Sequence, residues 1–316
     1  MKISVAKNAG FCFGVKKAIQ IAEEVASNNE NPTYVYGQLV HNETVIENLK
    51  NRGIIFAETI EEIPDNAITV LRAHGEPGTT YKKLRKKSIT AGKNLNDATC
   101  PLVTLVHNVA KKLKSNGYEV ILFGKADHPE AIGTSFHIHG KDTFIVNEPE
   151  EAGLVVDYIK KNNFGKAALI SQTTMSVYGY KKLIENINNL MDGNKFEEIH
   201  LNLKGLDKKF GYVDTICNPT KQRQLGTEEL AKEADIMIVI GGKNSSNSKE
   251  LAHKCKEQGV ETHFIQTEDQ LESAWFKGKG HIGVTAGAST PDETISNVVE
   301  KIKELTNEIL GEVKQV

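Results

Sequence analysis

A short run of β-branched and apolar residues, then a polar loop, then a stretch with apolar residues at helical spacing recurs at least seven times along this 316-residue chain. That unit is what parallel α/β sheets are built from. Residues 3–6 lead through 8–13 into a predicted helix whose apolar positions are Val15, Ala18, Ile19, Ala22 and Val25. Residues 34–37 open onto 39–42, 67–71 onto 73–75, 120–123 onto 124–130, 168–170 onto 171–174, and 236–240 onto 241–247. The last run, 282–285, opens onto 286–290 and an amphipathic helix reaching about residue 310.

Open α/β sheets bind ligands beyond the carboxyl ends of their strands, so these loops are where chemistry is expected. The chain is longer than one core usually grows, which predicts two or three domains; the recurring units are expected to form three similar α/β domains with mainly parallel sheets, three units to each. Boundaries are expected near residues 97–101 and within the Gly-, Asn- and Lys-rich stretch 191–212. The resulting domains are 15–99, 100–212, and 1–14 together with 213–316.

Charge and hydropathy exclude several function classes. With 39 basic against 41 acidic side chains there is no electrostatic pull toward nucleic acid. The longest apolar runs, such as 236–240, fall far short of the roughly 20 residues that span a bilayer. Lys2 and Lys7 interrupt any stretch that could act as a secretory signal, so a cytoplasmic location is expected. Thiols stay reduced there, and a core this large needs no staples, so the four cysteines point to metal binding or catalysis rather than disulfides.

Three of them share a setting. Cys12 lies in Gly10-Phe11-Cys12-Phe13-Gly14, Cys100 in Thr99-Cys100-Pro101, and Cys217 in Thr215-Ile216-Cys217-Asn218-Pro219, each just before a predicted helix. A helix N-terminus carries roughly half a positive charge, which stabilises a thiolate or an anionic cluster. Pro101 and Pro219 suit first turns, and Gly10 and Gly14 let backbone approach a bulky ligand. Any one of these cysteines alone would more often be a buried apolar residue; all three in polar loops favours ligation. Close pairs such as C-x-x-C are absent, which argues against structural zinc. Three thiolates leave one iron of a four-iron cluster without a protein ligand, open to substrate. Cys255 falls mid-helix and reads as core.

His41, His74 and His128 all follow predicted strands, although a lone histidine is more often surface or satisfied core. Ser245, Ser246 and Asn247, and Ser289 with Thr290, precede helices, where amides and hydroxyls suit phosphate. Asn247 with Glu250, and residues 290–293, also read as capping boxes. Glu130, after His128-Pro129, suits a proton donor or a favourable charge in a helix's first turn. Thr173 and Thr174 suit a proton relay or the cap of a helix near Val177. Neither a P-loop nor a G-x-G-x-x-G occurs, so electrons would arrive from a separate donor.

Gly10-Phe11-Cys12-Phe13-Gly14-Val15, Leu39-Val40-His41-Asn42, Arg72-Ala73-His74-Gly75, Asp97-Ala98-Thr99-Cys100-Pro101 and Gln172-Thr173-Thr174 stand in order along the chain. With Asp214-Thr215-Ile216-Cys217 and Gly242-Lys243-Asn244-Ser245-Ser246-Asn247-Ser248, the set resembles the LytB family of 4-hydroxy-3-methylbut-2-enyl diphosphate reductases over almost the whole length. The resemblance implies three α/β domains around a central cavity. There Cys12, Cys100 and Cys217 would ligate a [4Fe-4S] cluster with an open iron. It also implies reductive removal of an allylic hydroxyl, yielding isopentenyl and dimethylallyl diphosphates in the last step of non-mevalonate isoprenoid synthesis. Glu130 would deliver protons and Thr173 orient the relay. His41, His74, His128, Ser245, Ser246, Asn247 and Ser289 would grip the diphosphate, and ferredoxin or flavodoxin would supply electrons. Two features depart from the family pattern: 191–212 looks long, and Pro219 stands where alanine is common. A cluster-binding carrier without catalysis would need the cysteines but not Glu130 or Thr173. A hydrolase built on the three histidines would leave the cysteines unexplained.

Overall fold

The structure, a computed structural model, describes residues 1–191, 193–200 and 208–313, with side chains up to residue 307. In chain order the strands are β1 (Lys2–Val5), β2 (Thr33–Tyr36), β3 (Ile55–Ala57), β4 (Ile68–Leu71), β5 (Leu95–Asp97), β6 (Glu119–Phe123) and β7 (Ile145–Val146). They continue with β8 (Ala167–Ser171), β9 (Glu197–Glu198), β10 (Phe210–Tyr212), β11 (Ile236–Ile240), β12 (Glu261–Ile265) and β13 (His281–Ala286). The helices are α1 (Phe13–Ser27), α2 (Glu43–Asn51), α3 (Gly78–Lys86), α4 (Pro101–Ser115), α5 (Pro129–Phe136), α6 (Ala152–Lys161), α7 (Val177–Leu190), α8 (Asn218–Ala231), α9 (Ser246–Glu257) and α10 (Asp292–Val313).

These elements form two compact units, one of Met1–Lys16, Val40–Arg52 and Asn218–Val316, the other of Lys17–Leu39 and Gly53–Cys217. The first unit holds a four-stranded sheet in the order β1-β13-β11-β12, parallel throughout. On β11 and β13, Ile236, Ile238, Ile240, Ile282, Val284 and Ala286 face α10, where Ile295, Val298 and Ile302 meet them. The intervening Met237 and Val239 pack with Leu230 and Ala231 of α8 and Leu251, Ala252 and Cys255 of α9. Both faces are covered, so β11 reads as an unbroken apolar run.

The second unit holds two further parallel sheets, β3-β2-β4-β5 and β7-β6-β8-β10-β9. In the five-stranded sheet, Ile121, Phe123, Ala167 and Leu169 face α6 and α7, while Val120, Leu122, Ala168 and Ile170 face α4. The expected three strands per sheet are thus exceeded: the sheets carry four, five and four. The additions include β9 and β10, which come from the 191–212 segment expected to be a connection. Residues 192 and 201–207 of that segment lie outside the described residues.

Parallel strands send all their exits to one end of a sheet. In the first unit the loops after β1, β11 and β13 therefore emerge together, and in the second those after β4 and β5, and after β6, β8 and β10. Among the described residues no helix is long and apolar enough to cross a membrane.

Candidate active site

In the second unit the loop after β6 ends at His128, the N-cap of α5, with Pro129 at the first helical position. His128 Nδ1 accepts the Glu130 amide at 3.2 Å, so a neutral His128 carries its proton on Nε2. This cap turns Glu130 inward, where it is 2% exposed. Its Oε1 accepts the Thr173 amide at 2.6 Å and its Oε2 the Thr173 hydroxyl at 2.8 Å. Both bonds favour the carboxylate, but burial outweighs them and pushes the Glu130 carboxyl up to about 7. A carboxyl titrating near neutrality suits proton transfer at physiological pH.

Thr173 leaves β8 through Gln172, whose Nε2 donates to Thr174 Oγ1 at 2.9 Å and whose Oε1 accepts the Lys125 amide at 3.1 Å. The fully buried Gln172 side chain thus laces the loop after β8 to the loop after β6. Thr174 turns toward Gln172 through this bond, and neither threonine caps α7. Ser176 does, accepting the Gly179 amide.

The loop after β4 carries His74, whose ring lies edge-on to His128 with centroids 5.5 Å apart. Gly75 follows at φ +78°, and a Cβ there would stand 2.7 Å from His107 Cε1, so both conformation and space require glycine. Cys100 caps α4 with Pro101 at the first helical position, and its amide donates to Ala73 O at 2.9 Å. Asp97 shapes that approach by accepting from the Thr99 amide and hydroxyl. The amide of Cys217 donates to Thr173 O at 3.2 Å. Thr215, two residues earlier, bonds through its hydroxyl to both the amide and the carbonyl of Ser171. Backbone bonds therefore tie Cys100 to the His74 loop and Cys217 to the Thr173 loop.

In the first unit Cys12 precedes α1, its amide donating to Ala288 O at 3.1 Å and its Sγ accepting the Val15 amide at 3.5 Å. The carbonyl of His41 accepts the Ser289 hydroxyl at 2.9 Å. A Cβ on Gly242 would stand 2.5 Å from that carbonyl, so glycine lets the two loops touch. Ser245 caps α9, accepting from the amide and hydroxyl of Ser248. The capping box expected between Asn247 and Glu250 does not form. Ser246 and Asn247 lie inside the first turn, and both polar ends of the Asn247 amide are buried with no hydrogen-bond partner among the described residues. A buried amide with four unmet bonding positions is costly unless something else fills them. The Thr290 hydroxyl donates to Ile240 O, joining β11 to the loop after β13.

The model of the family described as LytB protein matches residues 3–303. The chain belongs to the LytB protein family. A Nitratiruptor relative named 4-hydroxy-3-methylbut-2-enyl diphosphate reductase is 38% identical over 96% of this chain and 99% of its own. An Aquifex aeolicus relative of the same name is 36% identical over 96% of each chain. Among solved structures, the Plasmodium falciparum E-1-hydroxy-2-methyl-but-2-enyl-4-diphosphate reductase superposes with a TM-score of 0.80 at 28% identity, over 95% of this chain and 87% of its own. A second, described as (E)-4-hydroxy-3-methyl-but-2-enyl diphosphate reductase, the terminal enzyme of the non-mevalonate pathway, gives 0.63 at 35% identity over 96% and 99%.

The donor chemistry of this LytB chain fits an iron-sulfur cluster. Cys12, Cys100 and Cys217 are half-buried, outside any disulfide, and each immediately precedes a helix. Helix N-termini offset the negative charge of thiolates and of an anionic cluster that thiolates would hold. Cys255 contrasts: inside α9 and fully buried, its thiol is pushed up to about 12 by desolvation. Gln172, Thr215 and Asp97 have no role that the sequence alone makes evident, although each lies within one of its motifs. Polar residues at strand ends were the available signal.

Proposed function

We propose that this chain reduces (E)-4-hydroxy-3-methylbut-2-enyl diphosphate to isopentenyl and dimethylallyl diphosphates, closing the non-mevalonate route to isoprenoids. The observation that carries this reading, within a family of relatives so named, is Glu130 sealed against Thr173 with its carboxyl near neutrality. Two electrons and two protons enter, the allylic hydroxyl departs as water, and the remaining hydrogen joins the allyl carbon.

Glu130 is the proton source for the departing hydroxyl. Thr173 holds the carboxyl in place and relays through its hydroxyl. Asn247 offers an unmet amide to the substrate, and Ser245, Ser246, Ser289, His41, His74 and His128 bind its phosphates. Ser245 does so with a hydroxyl already held by the amide and hydroxyl of Ser248, so little ordering is left to binding, while Ser289 turns its one proton from the His41 carbonyl to the phosphate. Cys12, Cys100 and Cys217 would hold a [4Fe-4S] cluster, which when bound supplies single electrons and a Lewis-acidic iron. Ferredoxin or flavodoxin provides the electrons, in the cytoplasm. Each sheet would core one domain, with boundaries at 15–99, 100–212, and 1–14 plus 213–316.

Protein purified without oxygen should be brown, with about four iron and four sulfide per chain. Given the allylic diphosphate and a reduced one-electron donor, it should release both five-carbon diphosphates. Colourless, iron-free protein, or cluster-loaded protein that leaves the substrate untouched, contradicts the proposal.

A further inference from the structure

We infer that Arg223 is a positioning residue for the cluster site, clamping the chain that leads into Cys12 to the first turn of the helix that follows Cys217. Arg223 sits on α8 and is 4% exposed. Its Nη2 donates to Gly10 O at 2.6 Å and its Nη1 to Pro219 O at 2.9 Å. Gly10 stands two residues before Cys12, and Pro219 two residues after Cys217.

The sequence of α8 is unusual for a covered helix. Its buried positions include Thr220, Arg223, Gln224 and Thr227, with Leu230 and Ala231 only at its end. Burying a guanidinium is unfavourable unless its donors are met, and an apolar side chain would fill the volume without that penalty. What an apolar side chain cannot do is hold two carbonyls at once. The planar fork of arginine presents two donors at a fixed angle, and lysine presents one point charge.

The 7–10 segment is closely packed against both α10 and α8. Gly10 takes φ +90°, and a Cβ there would stand 2.9 Å from Asp292 Oδ1 and from Ile295 Cδ1. One turn along α8 from Arg223, a Cβ on Gly226 would stand 2.9 Å from Lys7 O. The helix thus meets the 7–10 segment twice, by close packing at Gly226 and by hydrogen bonds at Arg223. A separate bond, between the hydroxyls of Thr227 and Thr285 at 2.7 Å, fastens α8 to β13.

The inference rests on the reading of Cys12, Cys100 and Cys217 as cluster ligands, and its test separates the two. R223K keeps the charge but reaches one carbonyl. In the anaerobic holoenzyme it should release iron to a chelator roughly tenfold faster than wild type, and exchange the amides of residues 9–12 faster. R223Q should do the same and also shift the cluster's midpoint potential to a more negative value, because a fixed positive charge is lost. T227V removes the neighbouring hydroxyl pair and should leave iron release and exchange at 9–12 at wild-type values. Wild-type iron release from R223K overturns the clamp, as does equal lability of T227V. If R223Q does not accumulate as soluble protein, R223K decides alone. Iron-free wild-type protein overturns the cluster reading beneath the inference, and exchange at 9–12 in R223K then still tests the clamp.

Discussion

Glu130 is sealed from water yet proposed to exchange a proton in every turnover, and that conflict has a measurable cost. Its ordinary value is 4.5, and burial raises it to about 7 in the folded chain. Below the ordinary value both folded and unfolded chains hold the proton, and the site is neutral in effect. Between that value and about 7 the unfolded chain ionises while the folded one does not, so stability falls by about 1.4 kcal/mol per pH unit. Above about 7 the loss levels off, on the order of 3 kcal/mol. E130Q escapes it, since an amide keeps the shape and a partner for Thr173. Urea midpoints should therefore coincide near pH 4, and E130Q should be the more stable at pH 8, the usual trade between activity and stability at a working residue. Equal midpoints at both values would show that the carboxyl is not raised. Sequence alone left Glu130 between proton donor and helix-dipole partner, because its contact with Thr173 spans 43 residues. It also could not assign the cap of α5, since His128 fills a position where serine, threonine, aspartate or asparagine is usual.

At the scale of elements, each of the seven strands expected from apolar runs is present within about a residue. The strands that went unread are of two kinds. β3, β5, β7, β9 and β10 are two or three residues long, too short for any period to register. β12 has five residues but lies at a sheet edge, and its outer end, Glu261 to His263, is polar. The loop after β4 carries a device that no periodicity reveals. Arg72 Nε donates to Glu76 Oε1, Thr80 donates to Oε2, and the Arg72 guanidinium lies 5.7 Å from the Tyr36 ring centroid. Burial raises the Glu76 carboxyl and Arg72 opposes that rise. Gly37 leaves room for Arg72, whose Nη1 would stand 2.9 Å from a Cβ there. Together they pin both ends of the turn that presents His74. R72M strands the carboxylate and should destabilise the protein by about 3–5 kcal/mol at pH 8, with R72M/E76L recovering most of the loss. A loss below about 1 kcal/mol in chemical denaturation would show that the pair holds nothing.

For the whole molecule, the proposed machinery is divided between the two units. Cys12, His41, Ser245, Ser246, Asn247 and Ser289 belong to one, while Cys100, Cys217, His74, His128, Glu130 and Thr173 belong to the other. Parallel sheets make this division legible in part: every candidate residue was sought, and lies, at or just beyond a strand's carboxyl end or at the helix start that follows. Which loops fasten to which was not legible. The Gln172 lacing, the Thr215 bridge and the Arg223 clamp link residues 44 to 213 positions apart, or loops on separate strands, through single polar side chains. At the centre of the proposed chemistry Glu130 is the proton source for a reductive dehydroxylation. The most direct test of that role is the rate of five-carbon diphosphate formation by wild type and E130Q, prepared without oxygen and matched in iron and sulfide content. E130Q should keep its cluster and form product at least about a hundredfold more slowly, the usual scale for removing a general acid. A matched E130Q that turns over at the wild-type rate would contradict that role.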